Sequence, residues 1–196
     1  MSYEILLASR SPRRRSLMKE LGIPFRVVKT EHLNEHYPPG LNGGEIARYL
    51  AEYKSDTYKL PLGVKEILLT ADTVVWQGGE ELGKPAGRDE AISMLQRLSG
   101  ATHQVYTGVC LRSTGMRKSF FAVTDVTFSI LDQDEVELYV DRYRPYDKAG
   151  AYGIQEWIGY IAVERINGSY FNVMGLPVQR LYSELKQFIQ SIQKGT

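Results

Sequence analysis

A short apolar run near the start of the chain passes directly into a helix start, and this junction limits the fold more than any other feature. Residues 5–8 are apolar and predict a buried strand. Ser11 followed by Pro12 is typical of an N-cap and the first position of a helix. A buried strand that turns into a helix begins a β–α unit. The sequence therefore predicts an α/β or α+β fold.

The rest of the chain continues this alternation of strand-like and helix-like patterns. Gly78 and Gly79 predict a hairpin turn, and the polar stretch 30–44 predicts a loop. No segment has the composition of a linker, so residues 1–196 are predicted to form a single domain, with room for a second lobe inserted near the middle. Strands are predicted at residues 25–28, 67–71, 74–76, 81–82, 105–112, 119–130 and 160–166, and helices at residues 45–59, 88–98 and 176–192 and after Asp132.

The bulk composition excludes several classes of protein. The 196 residues carry a formal net charge of +1, so no overall field selects nucleic acid or an acidic membrane surface. The single cysteine, Cys110, cannot form an intramolecular disulfide and is predicted to be a small core residue. The chain starts without a basic, apolar leader and holds no apolar stretch of membrane-spanning length. We therefore expect a cytoplasmic protein that binds neither nucleic acid nor a membrane.

The junction between the first strand and the first helix is strongly basic. Arginines occupy positions 10, 13, 14 and 15, and hydroxyl groups lie at Ser9 and Ser11. Backbone N–H groups at a helix start favour an anion, and guanidinium groups fit phosphate oxygens. Because cations at a helix N-terminus are mildly unfavourable, a phosphate partner explains the cluster better than a solvated basic turn, by roughly two to one.

Three further segments carry candidate polar groups, and the residues alone leave their roles open. Asp72 follows the strand predicted at residues 67–71. A carboxylate at the carboxyl edge of a sheet can hold a divalent cation or orient a water, but an Asx turn explains it equally well. Lys84 follows Gly83, which lets the backbone approach a ligand, although the spacing excludes a P-loop. Gln155 offers a donor and an acceptor to a base edge, but the glycine-rich stretch before it favours a structural turn.

Taken together, these segments resemble the Maf family of nucleotide pyrophosphatases. The likeness covers nearly the whole chain and is carried by well-separated blocks that follow the family's order. The blocks are Leu7-Ala8-Ser9 with Ser11-Pro12-Arg13-Arg14, Ala71-Asp72-Thr73-Val74-Val75, Gly83-Lys84-Pro85, Leu98-Ser99-Gly100 with His103, Thr107-Gly108-Val109, Asp147-Lys148-Ala149-Gly150-Ala151-Tyr152-Gly153-Ile154-Gln155, and Gly175-Leu176-Pro177.

The resemblance implies a fold, an activity and partners. The implied fold is α/β, with a mixed elongated sheet flanked by helices and a central cleft between two lobes, similar to the inosine-triphosphate pyrophosphatases. The implied reaction is hydrolysis of a nucleoside triphosphate between its α and β phosphates, which gives a monophosphate and pyrophosphate. The family resemblance also implies a divalent cation, usually magnesium or manganese, and commonly a homodimer.

The resemblance also assigns roles to individual residues. Asp72 matches the family's proton acceptor, and Asp72 and Glu35 are expected to hold the metal. Arg13, Thr73 and Gln155 match positions associated with substrate choice. The residues that match polar positions lining the phosphate and base pocket are Ser9, Arg14, Lys54, Lys84 and Lys148.

The combination of Arg13 with Gln155 resembles the branch of the family that prefers dTTP and UTP. Two alternatives to this activity remain open at the level of sequence. One is a related house-cleaning pyrophosphatase that acts on purine or modified nucleotides. The other is a regulator of cell division that binds nucleotide or nucleic acid without hydrolysis.

Overall fold

The computed structural model describes residues 3–30 and 36–194. Within these residues the strands are β1 (Glu4–Leu7), β2 (Phe25–Val27), β3 (Glu66–Gln77), β4 (Glu80–Leu82), β5 (Thr102–Arg112), β6 (Arg117–Phe128) and β7 (Val163–Asn167). The helices are α1 (Pro12–Glu20), α2 (Gly43–Asp56), α3 (Arg88–Leu98), α4 (Gln133–Tyr143), α5 (Trp157–Ala162), α6 (Tyr170–Val173) and α7 (Val178–Lys194), with a 3-10 turn at Ala149–Ala151. None of the described helices has the length and apolar character that crossing a membrane requires.

The strands form one mixed sheet. Its order is β2-β1-β3-β5-β6-β7, and β4 also pairs with β3. β1 runs parallel to β2 and β3, whereas β4, β5, β6 and β7 join by antiparallel pairing. The long strands β3, β5 and β6 make the sheet elongated, and helices cover both of its faces. The predicted fold class, a mixed elongated sheet flanked by helices, is confirmed.

The helix start after β1 forms as the Ser-Pro pair predicts. Pro12 occupies the first turn of α1, and the Ser11 side chain accepts a hydrogen bond from the backbone N–H of Arg14 at 3.4 Å. This bond satisfies one of the N–H groups that the first turn of a helix leaves without a helical acceptor. Gly22 ends the segment in the left-handed region, with φ at 70°. The predicted glycine stop is therefore confirmed.

The predicted end of a strand before Asp72 is wrong. A single strand, β3, runs through this residue, because β5 pairs with β3 without interruption from Leu68 to Trp76. Asp72 lies opposite Gly108 in this ladder. The carboxylate is nevertheless close to the carboxyl end of a parallel strand, since β1 stops at Leu7 opposite Leu69.

The prediction of one strand at residues 160–166 is also wrong. The first part of this segment completes the helix α5, and only its second part pairs with β6 as β7. Ile158 and Ala162 are four residues apart and both fully buried, so one face of a short helix reaches the core. The last helix begins at Val178 rather than at Leu176, and Leu176 is a buried residue just before it.

The alternation of side chains along β3 divides the core between the two faces of the sheet. Leu68 and Val74 face α2, whose backbone comes very close to the sheet. Gly108 permits this approach, because a Cβ atom there would lie 2.0 Å from the Ala47 carbonyl oxygen. Ala71 and Val75 face the opposite side, where they belong to two separate apolar clusters.

A polar strip separates these two clusters on the face away from α2. Ala71 and Val109 belong to the cluster under α1 and α7, whereas Val75 and Val105 belong to the cluster under α3, α4 and α5. The residues between them on β3 and β5 are Thr73 and Thr107, and the strip continues through Thr124 and Asn172. The helices on this face therefore form two groups with hydrogen-bonded polar side chains between them.

Candidate active site

The cleft lies where one edge of β3 loses its strand partners. β1 pairs with β3 only as far as Leu69, and β4 pairs with β3 from Val75 onward. Among the described residues, no strand covers this edge of β3 between the two pairings, and a cleft of about 1320 Å³ opens there. Asp72 and Thr73 project to opposite faces of β3, and both line the cleft.

The structure brings the described candidate residues together in this one cleft. Glu35 lies outside the described residues, so its prediction is untested. The cleft is lined by Ser9, Arg13, Arg14, Lys54, Asp72, Thr73, Lys84, Lys148 and Gln155. These residues come from the segment between β1 and α1, from α1, α2 and β3, and from the segments after β4 and before α5, so only the tertiary fold joins them.

Asp72 and Lys54 form an ion pair at the α2 side of the cleft. The Lys54 ammonium group donates a hydrogen bond to Oδ1 of Asp72, and the side chains are 18% and 10% exposed. One carboxylate oxygen is therefore held by α2, and the orientation of the whole group is fixed. A carboxylate oriented in this way is suited to accept a proton from a water or to bind a cation.

The first wall of the cleft is residues 9–14, called here the α1 wall. The Ser9 hydroxyl accepts a hydrogen bond from the Ser11 backbone N–H at 3.2 Å, and Ser11 in turn caps the helix. This arrangement points the positive end of the α1 dipole at the cleft. Arg13 and Arg14 lie on the first turn and add two guanidinium groups to the same wall.

Arg14 is bonded to two protein groups at the floor of the cleft. Its Nε donates to the Gly175 carbonyl oxygen at 2.7 Å, and its Nη2 donates to Oγ1 of Thr73 at 3.0 Å. The guanidinium therefore joins α1 to β3 and to the segment that precedes α7. Arg14 lines the cleft as predicted, and these contacts show that it also orients the neighbouring threonine.

The second wall is residues 147–156, called here the loop wall. Lys148 is buried, and its ammonium group donates to Asp147 at 2.7 Å and pairs with Oε1 of Glu156 at 3.1 Å. The hydroxyl of Tyr139 donates to the other Glu156 oxygen and accepts from the Gly153 N–H at 3.0 Å. Burial and the hydrogen bond to Glu156 raise the pKa of Tyr139 far above its ordinary value, so this hydroxyl stays a donor.

Asp147 bridges the two walls. One of its oxygens accepts from Arg13 Nη1 at 3.3 Å, and the other accepts from Lys148 Nζ. Burial alone would raise the pKa of Asp147, but the hydrogen bond and charge of Lys148, together with Arg13, hold the pKa below its ordinary value. Asp147 therefore pairs with Arg13 and Lys148, two cations that the family resemblance assigns to the substrate pocket. The resemblance assigns no role to Asp147 itself.

The loop wall also reaches the segment that carries Lys84. Gly150 has φ at 66°, a conformation in which its N–H donates to the Gly83 carbonyl at 3.0 Å. Next to it, Oε1 of Gln155 is buried and accepts no hydrogen bond from the described part of the chain. A buried amide oxygen without a donor is costly, so a substrate donor at this position would satisfy it.

His103 supports the loop wall from beneath. It is 1% exposed, and its Nε2 lies 2.8 Å from the Tyr152 hydroxyl. The imidazole also packs edge-on against Phe128 and Tyr152. Burial lowers the pKa of His103 to about 4, so the ring is neutral at physiological pH.

Glu81 is a cleft residue that the sequence did not indicate. It lies on β4 and accepts a hydrogen bond from the Tyr37 hydroxyl at 2.6 Å, and both residues line the cleft. The hydrogen bond to Glu81 raises the pKa of Tyr37 to about 12. Glu81 lies in a short polar hairpin, and polar residues are common in such turns. Its residue type therefore did not indicate that it would line a cleft.

The oxygen ligands lining the cleft suit a hard divalent cation. Asp72 offers one oxygen that Lys54 does not hold, and Mg²⁺ commonly binds one or two carboxylates together with substrate phosphates. No group of three or more His, Cys, Asp or Glu side chains with metal-binding geometry occurs within residues 3–30 and 36–194. The free oxygen of Asp72 therefore fits a metal that also binds the phosphates of a substrate.

Comparison with known proteins gives consistent matches along the chain. A family model described as Maf-like protein matches residues 4–188. A "dTTP/UTP pyrophosphatase" of Bacteroides fragilis (strain YCH46) is 56% identical over 185 residues, which cover 94% of this chain and 96% of the relative. A protein of the same name from Bacteroides thetaiotaomicron is 53% identical with the same coverage.

The fold also has a counterpart among solved structures. A HAM1 protein from Coxiella burnetii aligns with a TM-score of 0.52 and 15% identity, covering 94% of this chain and 99% of that chain. At this identity the likeness concerns the fold alone. It agrees with the expected fold class, a mixed elongated sheet flanked by helices.

Proposed function

Because the chain belongs to the Maf family, we propose that it hydrolyses dTTP and UTP to the nucleoside monophosphate and pyrophosphate. The observation that carries the proposal is the placement of Asp72 and Lys54 in a cleft that cationic side chains surround. A triphosphate carries about four negative charges, which must be neutralised before a nucleophile can approach phosphorus. Names shared by relatives with about half of their residues identical support this substrate class.

In the proposed mechanism the α1 wall and the lysines bind the triphosphate. The start of α1, Arg13 and Lys84 contact phosphate oxygens, and the oriented Asp72 accepts a proton from the attacking water. The water oxygen bonds to the α-phosphorus and the bond to the bridging oxygen breaks, so pyrophosphate leaves. Lys54 keeps the carboxylate oriented and adds positive charge beside the reacting phosphate.

A divalent cation, magnesium or manganese, is part of the proposal. Asp72 and Glu35 would hold it, and it would supply charge neutralisation on the phosphates. The oxygen donors of the cleft support this assignment, since hard cations prefer carboxylate and phosphate ligands. The side chains of the protein would still orient the triphosphate and exclude water from the cleft.

Substrate choice is proposed to depend on Arg13, Thr73 and Gln155. The unsatisfied Oε1 of Gln155 supports this, because it would accept a hydrogen bond from an N–H or O–H group of the substrate. Discrimination by buried polar groups is strong when a wrong substrate leaves them unpaired. Lys148 and Ser9 would complete the pocket around the sugar and phosphates.

We also propose that the protein acts in the cytoplasm as a homodimer. The family resemblance supports the dimer, and exposed aromatic side chains such as Tyr160 and Phe171 offer apolar surface to a second copy. Sedimentation at several protein concentrations measures the assembly state. A monomer at all concentrations would contradict the dimer without affecting the activity.

A panel of triphosphates tests the activity. Pyrophosphate release is measured with magnesium or manganese for canonical and modified purine and pyrimidine nucleotides. The expected result is fastest turnover of dTTP and UTP. Faster turnover of a purine or modified nucleotide would assign the protein to the related house-cleaning enzymes. Absence of pyrophosphate release from every triphosphate would favour a non-hydrolytic regulator.

The Asp72→Asn variant tests the base. We expect kcat to fall by about 10²–10⁴-fold with an unchanged fold, because general-base catalysis contributes about this factor. The control is Asp134→Asn, an exposed residue on α4, which should leave kcat unchanged. A metal titration of the Asp72 variant separates two roles, since loss of a metal ligand weakens metal binding and loss of a base need not. Near-normal kcat in this variant would remove Asp72 from the reaction.

A further inference from the structure

The polar strip beneath the cleft contains a chain of three hydrogen bonds. Arg14 Nη2 donates to Oγ1 of Thr73 at 3.0 Å, and this Oγ1 lies 2.9 Å from Oγ1 of Thr107. The Thr107 hydroxyl lies 2.9 Å from the backbone carbonyl oxygen of Asn172. Thr107 is fully buried and does not line the cleft, whereas Thr73 does.

The direction of every bond in this chain is fixed by its two ends. A carbonyl oxygen can only accept, so Thr107 must donate its single hydroxyl proton to Asn172. With that proton committed, the Thr107 oxygen can only accept from Thr73. At the other end a guanidinium can only donate, so Thr73 accepts from Arg14.

The hydroxyl of Thr73 therefore presents only a lone pair to the cleft. Its proton points at Thr107 and one lone pair accepts from Arg14, which leaves one lone pair. Gly175 keeps the approach to this oxygen open, because a Cβ atom at that position would lie 3.4 Å from Oγ1 of Thr73. The neighbouring Asn172 fixes the chain further, since its amide donates to Val105 and Thr124.

We propose that Thr107 is a specificity-determining residue that acts through Thr73. By fixing the direction of the Thr73 hydroxyl, Thr107 makes Thr73 an obligatory acceptor, so the substrate group that contacts it is a neutral hydrogen-bond donor. This proposal rests on the proposed function and names the chemistry that the cleft selects. An ionised phosphate oxygen offers no proton and is excluded as the partner of Thr73.

Two parts of a pyrimidine nucleotide can supply such a donor. One is the N3–H of thymine or uracil, which cytosine replaces by an acceptor nitrogen. The other is a hydroxyl of the sugar. Both are neutral donors. A substrate that lacks the donor leaves the Thr73 lone pair facing another acceptor, as with cytosine, or facing no polar group, as with a 3′-deoxy sugar.

The test releases the direction of the Thr73 hydroxyl by changing Thr107, a residue that does not line the cleft. Thr107→Val has nearly the same shape but no hydroxyl, so the Thr73 proton is released and can turn to the cleft. The control is Thr107→Ser, which keeps the hydroxyl and its bond to Asn172. Specificity is measured as the ratio of kcat/KM for UTP over CTP and for dTTP over its 3′-deoxy analogue. For a triphosphate that turns over too slowly, the inhibition constant against dTTP replaces kcat/KM.

The outcomes separate the two sources of the donor. If Thr73 contacts the base, Thr107→Val lowers the kcat/KM ratio of UTP over CTP about tenfold, which is the value of one neutral hydrogen bond. The kcat/KM ratio of dTTP over its 3′-deoxy analogue then stays unchanged. If Thr73 contacts the sugar, only the ratio for the 3′-deoxy analogue falls. In both cases Thr107→Ser stays within about twofold of the unmodified protein. Unchanged ratios in Thr107→Val overturn the proposal.

A second measurement covers a Thr107→Val variant that fails to fold. Thr73→Val in an otherwise unmodified chain removes the acceptor itself. It should abolish either the preference for UTP over CTP or the preference for dTTP over its 3′-deoxy analogue. If this variant keeps both preferences, the proposal is overturned. Failure of the proposed function looks different, since the unmodified protein would then turn over a purine or modified nucleotide faster than dTTP and UTP, or release pyrophosphate from no triphosphate.

Discussion

The α1 wall and the loop wall face each other across the cleft, but their supporting contacts reach very different distances along the chain. The backbone of the α1 wall is held by Ser9 and Ser11, which bond to groups two and three residues away. The loop wall depends on partners that are distant in sequence, such as Gly83 and the buried Tyr139 and His103. Substitutions in the loop wall should therefore change folding stability and substrate binding together.

The α1 wall is expected to show the opposite behaviour. Its helix cap forms locally, so its side chains can change without a large effect on the rest of the fold. Arg14 is the exception, because its guanidinium reaches Thr73 and Gly175. The substitutions below test whether activity and stability separate in this way between the two walls.

The largest effect is expected for Arg14→Lys. A lysine keeps the charge but cannot reproduce the guanidinium fork, so the bonds to Gly175 and Thr73 are lost together. We expect kcat/KM to fall by about 10²-fold, or about 3 kcal/mol, and Tm to fall as well, because both lost bonds join α1 to other parts of the fold. Arg15→Lys is the control, since the Arg15 side chain is exposed and donates a long hydrogen bond, 3.4 Å, to the nearby Ser9 carbonyl. Equal losses in the two variants would contradict the role given to Arg14.

We expect the protein to lose stability in acid because of His103, the buried imidazole that supports the loop wall. The unfolded imidazole binds a proton near pH 6.5, whereas the folded one stays neutral until about pH 4. The unfolded state thus holds more protons between these values, and the free energy of unfolding falls by up to about 3 kcal/mol as the pH drops from 6.5 to 4. Chemical denaturation across this range measures the slope, and His103→Gln should flatten it. An unchanged slope in that variant would assign the effect to other groups.

Glu156→Gln is expected to destabilise the protein by about 2 kcal/mol, because it weakens the buried partner of Lys148 while Asp147 remains. KM for the triphosphate should rise as well, since the loop wall carries Lys148 into the cleft. Tyr139→Phe is the matched variant, which keeps the ring and removes the hydroxyl between Glu156 and Gly153. If both variants lost activity without losing stability, the loop wall would not couple stability to substrate binding, and the proposed difference between the two walls would be wrong.

The smallest effect is expected for the helix cap. Ser11→Ala should lower the free energy of unfolding by about 1 kcal/mol, because the Arg14 N–H loses its acceptor. Ser11→Gly should cost only a few tenths of a kcal/mol, at the same cap position. Thermal denaturation measures both. A loss as large as that of Glu156→Gln would mean that the α1 wall is not locally held.

Part of the fold and most of the site can be derived from the sequence. Ser11-Pro12 and the Gly78-Gly79 hairpin act through neighbouring residues, so their local conformations were predictable. The site residues came from the family resemblance, and the cleft contains each one that lies in the described part of the chain. Their individual roles stay predictions, as does the assignment of residues 1–196 to a single domain.

The remaining features were beyond prediction because they depend on pairing between distant segments. β3 continues through Asp72 only because β5 supplies a partner at every position there. Residues 160–166 change from helix to strand because Ile158 and Ala162 reach the core while Val163 pairs with β6. The apolar pattern and the local propensity of a segment do not indicate which distant strand will pair with it.

The sequence by itself determined the α/β class, the helix start at Ser11 and Pro12 and the family to which the site belongs, because these depend on neighbouring residues and on shared blocks. Only the tertiary structure decided what the cleft can recognise. It places Thr73 between two apolar clusters, gives its proton to Thr107 and leaves its lone pair facing the cleft. The direction of a hydroxyl depends on which donors and acceptors surround it, and for Thr73 those come from three other elements of the fold, α1, β5 and α6.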